Sequence, residues 1–360
     1  MANALGQAPG ESPGSPSPRR PTIRDVARAA GVSQSTTSRA LRSQGYVAAD
    51  VKDRVQQAAV RLGYVPDAMA RLLRQRVSRS IGVLVSDLRN PFYADVAAGA
   101  SRAAKRAGYS VMLVDDRLQA DEEAEASRAL ASMRVAGVVI TPLSACVPQY
   151  LVDQQIPVVE VDRQFAADSC DAVVVDNRAA AAKLTSHLVA LGHRRIALLF
   201  DATRWTTALE RLRGYEQALA EAGIPVDPDL EIATAADVEA ARQVAVDLLE
   251  GQHPPTGVLA ATDVLAEGVW RAAADLGLVV PDDLSLVSFD EAPWMTLVSP
   301  ELTAVRQDGA ALGDAAVVRL LQRIEVPSTP LATLVFRAEV TLRGSSGPVT
   351  RRARAVRPVA

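Results

Sequence analysis

Thr22-Ile-Arg-Asp-Val-Ala-Arg-Ala-Ala-Gly31-Val-Ser-Gln-Ser-Thr-Thr-Ser-Arg39-Ala-Leu41 reads as two short helices joined at Gly31. Ile23, Val26, Ala27 and Ala30 form an apolar stripe at helical spacing. Gly31 supplies the backbone freedom for a tight turn, Val32 fills the angle, and Ser33 is placed to cap the next helix. That helix turns a short polar face outward: Gln34, Ser35, Ser38, Arg39 and Arg42. A solvated surface helix favours long Glu and Lys over a Ser/Thr run of poor helix propensity, so an ordinary surface hairpin explains this face badly. Short donors and acceptors beside two guanidiniums suit the floor of a DNA major groove, where base edges present a donor/acceptor code.

Charge supports the same assignment. From Arg19 to Arg79 there are thirteen basic side chains and four acidic ones, although the whole 360-residue chain carries a net charge of -3. A basic head thus precedes an acidic body, and the head is the part suited to a polyanion. The head continues with a third helix, Val51 to Leu62, whose Val51, Val55, Ala58, Ala59 and Leu62 are spaced to pack on the first two. After Gly63-Tyr-Val-Pro66, the segment Asp67 to Arg74 is a helix candidate of roughly eight residues, too short to be stable alone. It is expected to fold against a partner such as a twofold mate on DNA, with Leu73 as a wedge entering from the minor groove. A linker helix packed on the body is the alternative.

Composition bounds the remainder. Hydrophobic residues make up 49% and charged residues 22%, and no apolar run reaches the length of a membrane span. Residues 1–20, rich in Pro, Gly and Ser, read as a disordered leader without a secretory layout. Cys146 and Cys170 are too few for a disulfide framework and are expected as small core residues in a reducing cytoplasm. From Ile81 the pattern alternates strand and helix: apolar runs at Ile81–Val85, Tyr109–Asp115, Gly137–Thr141 and Pro157–Asp162, with an Ala-rich helix Ala94–Ala107 and further helices at 121–133 and 148–154. The rhythm restarts after Val173, with helix 178–191, strand Arg195–Phe200, helix 209–222, strand Gly257–Thr262, helix 264–276 and strand Ser285–Asp290. Such continuous apolar strands belong to parallel sheets covered on both faces. Two similar α/β halves imply a cleft between them, with ligands at the carboxyl ends of the strands.

Chemistry-bearing motifs are missing from that body. There is no Gly-x-Ser-x-Gly elbow, phosphate-binding Gly-x-x-x-x-Gly-Lys or His-Glu-x-x-His. His187, His193 and His253 are scattered, and His193 in its Gly-His pair is expected to be structural. No metal or cofactor is expected, nor catalysis. The acidic run Asp121 to Glu125 reads as the first turn of a helix, complementing its dipole.

Taken together, the residues from Thr22 to Arg343 resemble the lactose-repressor/galactose-repressor family of bacterial transcription regulators. In the head the resemblance rests on Thr-Ile-x-Asp-Val-Ala, Ala-Gly-Val-Ser, Thr-x-Ser-Arg, Leu-Gly-Tyr-x-Pro and Ala-x-Ala-Arg-x-Leu. In the body it rests on Asn90-Pro-Phe-Tyr, Gly192-His-Arg-Arg-Ile, Arg211-Leu-Arg-Gly-Tyr, Thr262-Asp263, Ser288-Phe-Asp290 and Leu302-Thr-Ala-Val-Arg-Gln. The resemblance implies a small all-α helix-turn-helix DNA-binding head and an α/β periplasmic-binding-protein-like body of two parallel-sheet subdomains. It implies Gln34, Ser35 and Arg39 as base readers, and Thr22, Ser33, Thr36 and Ser38 as phosphate or groove-wall contacts. Ala70 and Leu73 fall in the minor-groove segment, with Leu73 the wedge. Arg42 stands where the family commonly has Asn, so it is expected to contact a base or phosphate differently. Ala48 and Val51 replace a usual Ser cap and Thr, so the third helix is expected to start later, capped by Asp50. The expected domains are a leader (1–20), the helix-turn-helix unit (21–66), hinge helix and linker (67–79), the effector-binding body (80–343, crossovers near 162–177 and 303–308) and a flexible basic tail (344–360).

Cleft candidates lie at strand ends: Asp87, Asn90, Phe92 and Tyr93; Arg117; Asp162 and Arg163; then Trp205, Arg211, Asp263, Asp290 and Trp294. Aromatic platforms with converging Asp and Arg suit a polyhydroxyl ring. The expected partners are near-palindromic double-stranded operator DNA, a small-molecule effector (most simply a carbohydrate) and a second copy of the chain. A homodimer follows because one head covers half a site and the tail after Gly344 has no leucine heptads for a tetramer. The expected location is the cytoplasm, on the nucleoid, away from membranes. A purine- or nucleoside-responsive repressor, a solute-binding protein and an α/β enzyme with an added DNA-binding head stand as the competing classes. Thr262 replaces an Asn common beside the Asp263 position, which leaves the effector's identity open.

Overall fold

The computed structural model describes residues 21–42, 46–64, 78–203 and 205–349. It divides into two compact units, Met1–Val77 and Ser78–Ala360. The candidate minor-groove residues Ala70 and Leu73 lie outside the described residues, as do positions 1–20 and 350–360.

Among the described residues, three helices build the head: α1 (Ile23–Ala30), α2 (Gln34–Arg42) and α3 (Ala49–Leu62). Gly31 sits at φ +68°, the left-handed conformation the tight turn demands. Val26, Ala30, Ala40, Val55, Ala58 and Ala59 form one small core, against which Val32 packs in the angle. The third helix begins at Ala49, not later, and Ala48 before it makes no side-chain cap. Asp50 therefore lies inside the first turn, where its charge still suits the helix dipole.

In the body, the first subdomain holds β1 (Ser80–Val85), α4 (Pro91–Arg106), β2 (Ser110–Asp115), α5 (Ala120–Ser132), β3 (Val138–Ile140), α6 (Cys146–Asp153), β4 (Val158–Val161) and β5 (Asp171–Val175). The chain then crosses to α7 (Asn177–Ala190), β6 (Ile196–Asp201), α8 (Thr206–Glu221), β7 (Glu231–Thr234), α9 (Val238–Glu250), β8 (Gly257–Ala260), α10 (Asp263–Asp275), β9 (Ser285–Phe289) and β10 (Thr303–Arg306). It returns with α11 (Gly309–Glu325) and β11 (Thr333–Phe336), and crosses a third time to β12 (Glu339–Thr341). The strand orders are β11-β5-β4-β3-β1-β2 and β12-β10-β9-β8-β6-β7. Every pairing is parallel except β10 with β12. The crossing at 337–338 adds a link that sequence patterning did not anticipate.

Each sheet is covered on both faces at its centre, which is why its central strands are largely apolar. Along β1, Ile81, Val83 and Val85 join the core shared with α4 and α11, while Leu84 joins the opposite core beneath α5 and α6. Helices α4 and α11 approach closely through Gly99 and Gly313. A Cβ on either would stand 2.0 Å from a backbone oxygen of the other helix.

Two local readings are corrected and a third is refined. Residues 344–349 are not a free tail: Ser345 is fully buried, donating to the Leu286 carbonyl at 2.5 Å and accepting from the Thr303 amide at 2.8 Å. His193 secures the same strap, with Nε2 within 3.1 Å of the Gly347 carbonyl. Glu123 stands in the first turn of α5 as expected, yet it is buried and accepts from the Leu143 amide at 3.0 Å. Of the two cysteines, Cys170 is buried and Cys146 is exposed.

Candidate functional site

On α2 the polar face expected from the sequence is the outward one. Thr37 and Ala40 point into the head's core, while Gln34, Ser35 and Arg39 are exposed and Thr36 and Ser38 are half-buried. Ser33 caps the helix, its Oγ accepting from the Thr36 amide at 3.1 Å and sharing hydroxyl contacts of 2.8 Å with Ser35 and Thr36. Arg42 closes the helix. Thr22 opens α1, where the Asp25 carboxylate accepts from its amide at 2.8 Å and its hydroxyl at 2.7 Å. No carboxylate occurs in Gln34–Arg42, so nothing on this helix repels phosphate.

The body's cleft, about 390 Å³, lies where strands of both sheets end. The first subdomain contributes Asp87, Asn90, Phe92, Tyr93, Asp162 and Arg163, and the second contributes Trp205, Arg211, Asp263 and Asp290. Ten of the twelve expected effector residues thus share one cavity. The other two go elsewhere. At the β2 end the backbone turns through Arg117 and Leu118 with φ of +51° and +62°, leaving Arg117 exposed and Leu118 on the cavity wall. Trp294 lies in a tight turn, Pro293–Thr296, and packs on the core with Trp270, ring centres 6.3 Å apart.

The two lips are built alike. Asp162 follows β4 and Asp290 follows β9, both at φ +68°, a conformation Asp tolerates better than most residues. On the first lip Asp162 accepts from the Tyr93 hydroxyl at 3.1 Å. Arg163 donates to that hydroxyl at 2.6 Å, to Ser86 Oγ at 3.1 Å and to the Pro142 carbonyl at 3.2 Å. On the second lip Arg211 donates to Asn177 Oδ1 at 2.8 Å and the Ala261 carbonyl at 2.5 Å, and its Nη1 stands 3.4 Å from Asp290. Gln307 donates to the other Asp290 oxygen. The guanidinium of Arg211 stacks on Phe289 and that of Arg163 on Trp205, each 3.7 Å from the ring centre. Arg163 and Trp205 belong to opposite subdomains, so this stack spans the cleft. Asn90 Nδ2 also reaches Asp263 Oδ1 across it, at 3.5 Å.

Burial dominates the electrostatics. It pushes the Asp263 carboxyl up to about 6, and the nearby Asp290 charge adds to the shift. Burial also raises Asp162, against the opposing pull of Arg163 and Arg211. Behind Arg163, burial lifts Asp116 to about 6 and Glu123 to about 7. Sequence reasoning missed Asp201, Leu118 and Gln307 on the wall. Asp201 ends β6 and was accessible to the strand-end rule that found Asp87; Gln307 stands at the second crossing, which only the fold reveals.

Comparison with known proteins gives the same two-part division. Residues 22–67 match the model of bacterial regulatory proteins of the lacI family, and residues 78–339 match periplasmic binding proteins and the sugar binding domain of the LacI family. The ribose operon repressor of Haemophilus influenzae is 30% identical over 328 residues, covering 90% of this chain and 98% of that protein. The crystal structure of the lac repressor dimer bound to operator and the anti-inducer ONPF is 28% identical, with a TM-score of 0.83 over 91% of this chain and all of that one. A LacI family regulator from Enterococcus faecium with bound ribose is 27% identical, with a TM-score of 0.68 over 75% of this chain and all of that one. With a helix-turn-helix head and a two-lipped cleft in the body, this chain belongs to the LacI family of bacterial regulatory proteins, which are DNA-binding regulators of transcription.

Proposed function

We propose that the protein is a repressor whose affinity for its operator is set by a carbohydrate bound in the cleft, and that it acts as a homodimer on near-palindromic DNA in the cytoplasm. The observation that carries this reading is the cleft itself. Asp162 with Arg163 on one lip and Asp290 with Arg211 on the other converge on a cavity walled by Phe92 and Trp205. Carboxylates and guanidiniums pair with vicinal hydroxyls, and flat aromatic faces cover the apolar side of a sugar ring. The relation to a ribose operon repressor supports the same ligand class.

In this reading Gln34, Ser35 and Arg39 read base edges, Arg42 touches base or phosphate, and Thr22, Ser33, Thr36 and Ser38 hold the sugar-phosphate backbone. Ala70 and Leu73 belong to the minor-groove element. A ligand touching both lips favours one separation of the subdomains, which hinge at 176–177, 307–308 and 337–338. Only a difference in ligand affinity between the two separations shifts DNA occupancy. Nothing in this scheme requires catalysis, a metal or a cofactor. Among the described residues no helix is long and apolar enough to cross a membrane.

The test uses the purified full-length chain. Selection from random duplexes yields its operator, and thermal-shift screening of pentoses, hexoses and nucleosides identifies its ligand. The reading predicts a palindromic site and a sugar that changes operator affinity by at least about tenfold, or 1.4 kcal/mol. Stabilisation by nucleosides with no response to any sugar would replace the carbohydrate assignment.

A further inference from the structure

Charge in the cleft is unevenly matched, and the mismatch gathers at one corner. Arg89 pairs with Asp87 at 2.8 Å, Arg163 stands 3.7 Å from Asp162, and Arg211 stands 3.4 Å from Asp290. Asp263, also on the wall, is 9% exposed and forms no close ion pair among the described residues, Arg211 acting on it only at longer range. Its carboxylate accepts from backbone amides at the start of α10 and, among side chains, from Asn90 at 3.5 Å.

Beside Asp263 lie Asp290 and Gln307, and all three also line a second cavity of about 420 Å³ on the hinge side. Asp290 must receive a donor from Gln307, so the Gln307 amide is oriented with its nitrogen towards Asp290. Its carbonyl oxygen is then left buried without a partner. The corner where the two cavities meet therefore presents acceptors from three residues. On the opposite lip Arg163, 2% exposed, has the reverse need: its buried Nε stands 3.7 Å from Asp162 and makes no hydrogen bond.

A neutral hydroxyl supplies one proton to such a corner and leaves its charge uncompensated. A primary ammonium supplies three N–H donors and a positive charge. Buried carboxylates without a counter-charge are costly, and pairing them removes that cost. We infer that the effector is an amine-bearing polyol, an amino sugar or iminosugar, with its nitrogen at Asp263, Asp290 and Gln307 and a ring or hydroxyl oxygen at Arg163. Asp201 and Asp237 line the same cavity and add to its negative field, which favours cation entry. The inference depends on the carbohydrate reading above and narrows it.

The experiment is calorimetry on the full-length protein at neutral pH with matched probes. These are glucose, galactose and mannose, their 2-amino and 2-acetamido forms, and ribose beside the pyrrolidine iminosugar of ribitol. The expected result is an amine that binds at least about tenfold more tightly than both its neutral parent and its acetylated form. Asp263→Asn should erase that preference while melting near the wild-type temperature. The acetamide comparison on wild-type protein needs no variant, so a poorly folded Asp263→Asn does not spoil the test. Neutral sugars binding as well as their amines would overturn the inference and leave the carbohydrate reading standing. Nucleoside binding with no sugar response would overturn both. Silence of every amine in the panel also refutes it.

Discussion

Replacing Arg211 by Met removes a guanidinium but keeps a long apolar stem of similar volume on Phe289. In the folded protein that guanidinium, 5% exposed, holds Asn177 Oδ1, the Ala261 carbonyl and one oxygen of Asp290. Arg211→Met leaves two buried acceptors without donors, at about 1–3 kcal/mol each. It also strips Asp290 of its only cation among the described residues, and breaking a buried pair by removing one partner costs about 3–5 kcal/mol. Gln307 still donates to Asp290, and the stem still packs, so the losses overlap and a total of about 4 kcal/mol is expected. For a body of this size that lowers the melting temperature by about 10 °C. The assay is thermal and urea unfolding of the full-length chain, with Asp290→Asn and the double variant completing a cycle. The double variant should lose about 1–2 kcal/mol less than the sum of the singles, because it no longer buries an unpaired charge. Ligand response should vanish in both variants carrying Arg211→Met. If Arg211→Met melts within about 2 °C of the wild type, the guanidinium is not holding the second lip together and the reasoning fails.

Arg39→Ala should weaken specific operator binding by about 1–3 kcal/mol and relax preference at one base position, measured by anisotropy on operator variants. Equal losses on operator and random duplex would make Arg39 a phosphate contact. Ser345→Ala removes the partner of the Thr303 amide and the Leu286 carbonyl, and is expected to cost about 2 kcal/mol in urea unfolding; an unchanged midpoint would contradict the docked strap. Glu123 titrates near 7 in the folded body, against an ordinary glutamate value when unfolded. The folded state then holds the proton more tightly, so stability is fullest below about pH 4 for this group and falls as pH rises towards 7, by about 2–3 kcal/mol. Glu123→Gln should flatten that slope between pH 5 and 8, and an identical slope in the variant would refute the assignment.

Much of this architecture was legible because burial on both faces writes itself into composition. The strands β1, β3, β4, β6, β8 and β9 are apolar at most positions. The helix α2 was legible for the opposite reason, carrying short polar residues where a solvated helix has none. Apart from β2, edge and return elements were not legible. β7, Glu231-Ile-Ala-Thr, is half-exposed, and β11, Thr333-Leu-Val-Phe, lies at a sheet edge with three exposed residues, so neither shows a buried run. No local pattern says that β11 pairs with β5, some 160 positions earlier in the chain. Strand ends located most of the cleft, because side chains there have one direction to go. The rule failed at Arg117, where two left-handed residues redirect the chain, and at Trp294, where a tight turn folds the indole back onto Trp270.

Measuring both arms of one binding cycle tests the central claim, that the cleft governs the head. Operator affinity is titrated with and without saturating ligand, and ligand affinity with and without saturating operator. Coupling through two subdomain separations predicts the same factor in both arms, at least about tenfold, as linkage requires. Ligand that binds equally well to free and operator-bound protein, leaving operator affinity unchanged, would contradict it.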